Sequence, residues 1–450
     1  MKKNILKADV DFLNGPILKA LIAFAIPVLI SNMFQQLYNT VDTMIVGHYL
    51  GDSSLAAIGS CTSIYDLLVG FALGIGNGLA IVTARSFGSK NRELLKRSVA
   101  AALVIGIASS ILITIIGSLG LKPLLQILNT PADIINEAYS YISVVVFFTV
   151  VMFAYNLCAG LMRSIGNSVA PLIFLVVSSI LNIILDTLFI TQFNMGVMGA
   201  AVATVIAQGA SVVLCIFYIF KKTQLLIPEK EHFAYDKELY NEMIAQGYSM
   251  GFMSSIVSAG SVILQYGING LGTLVIAGHT AARKMYMFFL MPFIALGVSI
   301  STFVGQNKGA NQPKRIREAI IIGYKCDVAL AIIMTIILSF AAPTLIATIS
   351  GSSEPTVINN GAAYLRFVGP FYAVLGVLLQ TRNALQGIGQ KLLPLVSSVI
   401  EFFGKIIFVI IFIPKFQYLA VIACEPMIWI VMTIQLVIAF WNNDYIKNAK

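Results

Sequence analysis

Residues 145–162 read VVFFTVVMFAYNLCAGLM, eighteen consecutive positions without a charge. Roughly 20 mostly apolar residues cross a hydrocarbon core as a helix, because lipid offers no partner for open backbone groups. A second block, GKIIFVIIFI at 404–413, repeats the pattern with one lysine. The whole chain follows suit: 58% of its 450 residues are hydrophobic, 11% are charged, and the mean hydropathy is +0.88. A soluble domain carries about 25% charged residues. The sequence therefore predicts an all-α integral membrane protein embedded in a lipid bilayer.

Outward from that block, apolar runs between charged or Gly/Pro breaks give twelve spans, at 17–47, 54–84, 98–120, 139–161, 169–191, 197–220, 245–270, 274–305, 319–346, 363–385, 393–414 and 418–440. Alternate loops differ in basic residues. One set holds Lys2, Lys3 and Lys7, then Arg85, Lys90, Arg92, Lys96 and Arg97, then Arg163. It continues with Lys221, Lys222, Lys230 and Lys237, then Lys308, Lys314, Arg315 and Arg317, then Lys391, and ends at Lys447 and Lys450. The other set has little beyond Lys122 and Lys415, with the acids Asp52, Asp133, Glu137 and Glu354. The positive-inside rule places both termini in the cytoplasm, as an even number of spans requires. The polar start, MKKNILKADVDFLNGP, precedes too short an apolar run for a signal peptide, so the first span is expected to be retained.

Several classes are excluded. The net charge of +9 sits in membrane-flanking loops, so it does not point to nucleic acid. Five cysteines lie singly in apolar surroundings, without disulfide or metal spacing. His48, His232 and His279 are far apart, and no Gly-rich loop ends in Gly-Lys-Ser/Thr. An ATP site, an enzyme and a bound cofactor are not expected. Work done by such a chain is driven by a gradient or by the substrate itself.

The chain contains a duplication. A shift of 221 aligns Leu50-Gly51 with Leu271-Gly272, Ala56 with Ala277, Gly76 with Gly297 and Gly88 with Gly309. A shift of 223 aligns Ile165-Gly166 with Ile388-Gly389, Pro171-Leu172 with Pro394-Leu395 and Phe189-Ile190 with Phe412-Ile413. This predicts an N-terminal lobe at 1–220, a cytoplasmic linker at 221–244 and a C-terminal lobe at 245–450. Six spans per lobe enter with the same orientation, which implies a pseudo-two-fold axis along the membrane normal. Rocking of two such lobes would give alternating access; an old duplication kept for stability is the plainer reading.

Charges inside the spans are costly, about 2.5–3.5 kcal/mol each on insertion scales. In span 1, Gln35, Tyr38, Asn39 and Asp42 are spaced to share a helical face, as are Asn182 and Asp186 in span 5. Thr204 in span 6 falls at the same depth, roughly 10 Å below the outer boundary by helical rise. Two carboxylates in one low-dielectric pocket must take up a proton or share a cation, and Asp, Asn and Thr oxygens suit Na⁺. The set reads either as a coupling site or as acids hydrated near the interface. Pro27 removes a hydrogen bond from span 1, as a moving hinge or a static kink. At the same shifts the second half has Ile263, Lys405 and Val409, so it lacks the set. Its own buried charges are Arg283 and Lys284, Asp327, Arg382, Glu401 with Lys405, and Glu425. Glu401 and Lys405, four apart, either neutralise one another or gate a substrate. Gln35, Tyr38, Asn39, Gln265 and Arg283 are the candidates for a substrate cavity.

Four stretches, IPVLISNMFQQLYNTVDTMIVGHYLG, GLMRSIGNSVAP, SSILNIILDTLFI and STFVGQNKGANQPKR, resemble the multidrug and toxic compound extrusion (MATE) family over essentially the whole chain, nearest to its bacterial, Firmicute-type branch. The resemblance implies a monomeric exporter of small amphipathic cations in the bacterial inner membrane, exchanged for Na⁺ or H⁺ as coupling ion. It further implies a cation site at Asp42, Asn182, Asp186 and Thr204, with Asn156 as an additional ligand. The essential acid that one branch carries in span 7 has no counterpart here, so a coupling site in the C-terminal lobe is not implied. A flippase for a lipid-linked saccharide, from the same broad superfamily, is the alternative.

Overall fold

The computed structural model describes residues 10–127 and 130–448, and among them the regular structure is all helical. Eleven helices are long and apolar enough to span a membrane, and a bent pair makes a twelfth. In order they are α1 (Ile17–Leu50), α2 (Asp52–Gly88), α3 (Arg92–Ile127), the pair α4 (Ile135–Phe147) and α5 (Thr149–Ser164), α6 (Val169–Thr191), α7 (Gly196–Lys222), α8 (Lys237–Asn269), α9 (Thr273–Gly309), α10 (Pro313–Ser350), α11 (Pro355–Gly387), α12 (Leu392–Ile407), which continues through a π-helical turn into α13 (Ile413–Phe416), and α14 (Tyr418–Trp441). A last turn, α15 (Asp444–Lys447), follows. All twelve spans read from the sequence are present.

The fourth span is not straight. It bends by 47° at Phe148 with no Gly or Pro in reach. Thr149 explains the break, since its hydroxyl donates to the carbonyls of Val145 at 3.2 Å and Val146 at 2.9 Å. Such back-bonding competes with the helical ladder and bends it.

The duplication is written in the backbone. Four residues with left-handed φ recur at the sequence shifts: Gly51 (+84°) with Gly272 (+95°), Lys90 (+58°) with Asn311 (+54°), Gly166 (+94°) with Gly389 (+97°), and Asn194 (+52°) with Gln417 (+49°). A non-glycine residue is rarely tolerated at such φ, so paired occurrences record inherited turns. Gly51 and Gly272 each begin a helix of 37 residues, α2 and α9.

By internal contacts the chain forms two compact units. The first gathers the residues up to Asp11 with Ile26–Ser255, and the second gathers Phe12–Ala25 with Ile256–Lys450. Two helices are therefore shared: α1 leaves the second unit for the first beside Pro27, and α8 leaves the first after Ser255. In the first unit, α2 meets the start of α8 through facing glycines. A Cβ on Gly78 would fall 2.6 Å from the Gly247 Cα, and one on Gly74 would fall 2.6 Å from the Met250 carbonyl oxygen. Gly74-x₃-Gly78 against Gly247-x₃-Gly251 lets two backbones touch, as small residues do between membrane helices. The polar segment after α7 lies on α3, where His232 Nε2 meets Glu93 Oε2 at 3.0 Å and Lys96 bonds Glu229. In the second unit, Arg315 donates to the carbonyl of Phe12 at 3.1 Å.

Candidate functional site

In the first unit the polar residues of four helices converge. On α6, Ser178, Asn182 and Asp186 follow at four-residue steps, hence on one face, and all three are buried. The Asn182 Nδ2 donates to the Thr204 hydroxyl of α7 at 3.3 Å. Asn182, Thr204 and Asn156 of α5 line a cavity of ≈ 20 Å³ together with Gln35 and Tyr38 of α1. That is room for about one water or an ion of similar size. Asn156 turns its Nδ2 onto its own helix at the Met152 carbonyl, 2.8 Å away, which leaves its carbonyl oxygen as the group able to bind a cation.

Asp42 of α1 and Asp186 of α6 stand side by side, close enough to share a hydrogen bond once one of them carries a proton. Both oxygens of Asp186, Oδ1 of Asp42, Oδ1 of Asn182 and Oε1 of Gln208 are buried without a protein donor. Every one of these orphans is an acceptor. Two like charges about 4 Å apart repel by roughly 4 kcal/mol at an effective dielectric of 20. A proton or a small hard cation relieves that repulsion, and the all-oxygen donor set fits Na⁺. By helix ends the acids differ slightly in depth, Asp42 eight residues from the end of α1 and Asp186 five from the end of α6.

The other predicted residues are placed differently. Tyr38 is half-buried, whereas Gln35 and Asn39 are exposed. Pro27 is buried within an unbroken α1, and the Ser31 hydroxyl donates to its carbonyl at 2.8 Å. Gln265 turns onto its own helix, its Nε2 donating to Asn269 Oδ1 at 2.7 Å. Sequence reading missed Gln208, Tyr155, Ser178 and Ser179 as cavity residues. The signal was available for Gln208, four residues after Thr204, and for Ser178, four before Asn182.

Arg283 belongs to a network in the second unit. Its Nη1 donates to Glu425 Oε2 at 2.5 Å and to the Tyr364 hydroxyl at 3.1 Å. Lys405 lies 3.5 Å from the other Glu425 oxygen and 2.8 Å from Glu401 Oε1. The intrahelical pair expected between Glu401 and Lys405 is thus one rung of a longer ladder. Asp327, fully buried on α10, pairs with none of these groups and has Gln380 beside it.

Comparison with known proteins bears on what this arrangement serves. The MatE family model matches twice, at residues 27–188 and 250–411, an offset of 223 residues. The probable multidrug resistance protein YpnP of Bacillus subtilis is 26% identical over 392 residues, 87% of either chain. The probable multidrug resistance protein NorM of Thermotoga maritima is 23% identical over 397 residues, 85% of this chain and 82% of that one. Among solved structures, one titled as MATE in complex with MaL6 superposes with a TM-score of 0.88 at 20% identity, covering 96% of this chain and 98% of the other.

Proposed function

The chain belongs to the MatE family and is a multi-pass membrane transporter, and from that premise we propose that it exports small amphipathic cations by antiport with Na⁺ or H⁺ through Asp42 and Asp186. The observation that carries this reading is the adjacency of two carboxyls on separate helices, Asp186 buried and Asp42 half-buried, with both oxygens of Asp186 and Oδ1 of Asp42 lacking a protein donor.

The proposed cycle follows from charge. With the pair ionised, the first unit holds uncompensated negative charge, which attracts an organic cation from the cytoplasmic side. An entering Na⁺ or H⁺ neutralises the same carboxyls, with Asn182, Thr204 and Asn156 as further oxygen ligands for the metal ion. Substrate and coupling ion then compete for one charge, which is the thermodynamic requirement for exchange. Asp42 rides on α1, so relief of repulsion at the pair acts on the helix that carries Pro27. The multidrug names of the relatives support compounds rather than one metabolite as cargo. Export from the cytoplasm, a monomer as the working unit and cytoplasmic termini complete the reading.

The test is efflux of a fluorescent organic cation from proteoliposomes under separate Na⁺ and pH gradients, with the parent chain and Asp42→Asn. One gradient should drive efflux, and the variant should lose that drive by at least about tenfold, equivalent to ~1.4 kcal/mol of ion binding. Efflux indifferent to both gradients, or intact in Asp42→Asn, would overturn the proposal.

A further inference from the structure

The second unit repeats the helices of the first but inverts their polarity. At the shift of 223, Asn182 corresponds to Lys405 and Ser178 to Glu401, so the helix that carries acid and amide in the first unit carries an ion pair in the second. Five charged side chains form a sequence of alternating sign: Arg283, Glu425, Lys405, Glu401 and Arg382. The first three links are salt bridges of 2.5, 3.5 and 2.8 Å. The fourth joins Glu401 to Arg382 as neighbouring charges without a hydrogen bond. Three cations against two acids leave an excess of one positive charge.

That excess sits at Arg382. Lys405 has an acid on either side, and Arg283 is bound to Glu425. Arg382 is only 8% exposed, and its Nε and Nη2 are buried with no protein acceptor. One turn before Glu401 on α12, the Ser398 hydroxyl is buried and unpartnered as well. A guanidinium presents two parallel N–H groups on one edge, the geometry that a carboxylate or a spherical anion accepts. Around the carboxyl pair of the first unit the orphans of Asp42, Asn182, Asp186 and Gln208 are acceptors; the orphans of Arg382 are donors, at the end of a ladder of three cations and two acids.

We infer that the second unit contains an anion site at Arg382, taking one monovalent anionic group, either inorganic chloride or the carboxylate of an amphipathic compound. One such charge closes the sequence at zero and supplies the acceptor that Nε and Nη2 lack. The site is separate from the carboxyl pair of the first unit and does not depend on it.

The two tryptophans of the chain provide the readout. Trp429 stacks on Tyr286 at 6.1 Å and 14°, and Arg283 lies 4.6 Å over the same ring. With Trp441→Phe as background, the emission of Trp429 in the purified full-length protein is titrated with sodium chloride and, separately, with sodium benzoate. Either anion should give a saturable change whose dissociation constant rises at least about tenfold in Arg382→Met and less in Arg382→Lys. Saturation by chloride alone assigns an inorganic anion, and saturation by benzoate alone or by both assigns a carboxylate-accepting site. The anion should also raise the parent's melting temperature by mass action and leave that of Arg382→Met unmoved. No saturable response in either titration, or equal responses in parent and Arg382→Met, overturns the inference. A variant that melts lower than the parent to the same extent with and without anion marks Arg382 as purely structural and overturns it too.

Discussion

At the scale of single residues, the two halves show how one position sets the sign of a site. Asn182 and Lys405 occupy equivalent places, and each is buried at the centre of its unit's polar residues. Lys405 is 1% exposed and bridges Glu401 and Glu425. Breaking a buried ion pair by removing one partner costs about 3–5 kcal/mol, because it strands the other charge. Lys405→Met should therefore lower thermal stability in detergent by an amount of that order, and adding Glu401→Gln should recover part of the loss. If Lys405→Met melts with the parent, the ladder contributes nothing to the fold. The opposite sign is expected at the carboxyl pair. Asp186→Asn removes one of two adjacent like charges, so the variant should be at least as stable as the parent while losing its ion response. That split between stability and function is characteristic of a site kept strained for its task.

At the scale of elements, packing and bending carry separate predictions. The glycine contact between α2 and α8 leaves no room for a side chain, with a Cβ at Gly78 meeting the Gly247 backbone at 2.6 Å. Gly78→Val should destabilise the first unit by about 1–3 kcal/mol, the range for overpacking, seen as a lower melting temperature; an unchanged one would mean the helices separate easily. Pro27 stands where α1 passes from one unit's contacts to the other's. Pro27→Ala restores an N–H for the Ala23 carbonyl and should leave the melting temperature unchanged or higher while slowing efflux. Equal efflux rates would make Pro27 a static kink. The segment after α7 is tied down by charge, since Lys96 holds the Glu229 carboxyl below its usual range through a direct bond. A depressed carboxyl contributes above its unfolded value of about 4.3 and ceases to as pH falls through the folded one. The tie is thus present at neutral pH and loosens only in acid.

At the scale of the whole molecule, what could be read from sequence divides by the range of the interaction. The twelve spans were legible because bilayer thickness acts on each apolar run independently. The duplication was legible because two of the turns with left-handed φ keep glycine in both copies, Gly51 with Gly272 and Gly166 with Gly389. The facing residues of α6 were legible because a four-residue step is a local geometry. The bend at Phe148 was not, because Thr149 reads as an ordinary apolar-block residue until its hydroxyl is seen on two carbonyls. Nor was the ladder from Arg283 to Glu425, whose partners are 142 residues apart. The sharing of α1 and α8 between units was hidden too, since a continuous apolar helix carries no mark of which neighbours it packs on. Orientation across the membrane is the remaining property of the whole chain, and the loops supply the argument. Arg85, Lys90, Arg92, Lys96 and Arg97 cluster where α2 ends and α3 begins, and Lys308, Lys314, Arg315 and Arg317 cluster where α9 ends and α10 begins. Both clusters follow an even number of spans, so they lie on the side of the termini, and basic loops are retained in the cytoplasm. A single cysteine placed at Ser89 or Asn311 in a cysteine-free chain should resist a membrane-impermeant maleimide in intact cells. One at Gly51 or Gly272, in the short links on the opposite side, should react. Labelling in the reverse pattern would invert the topology and, with it, the direction in which substrate reaches the carboxyl pair.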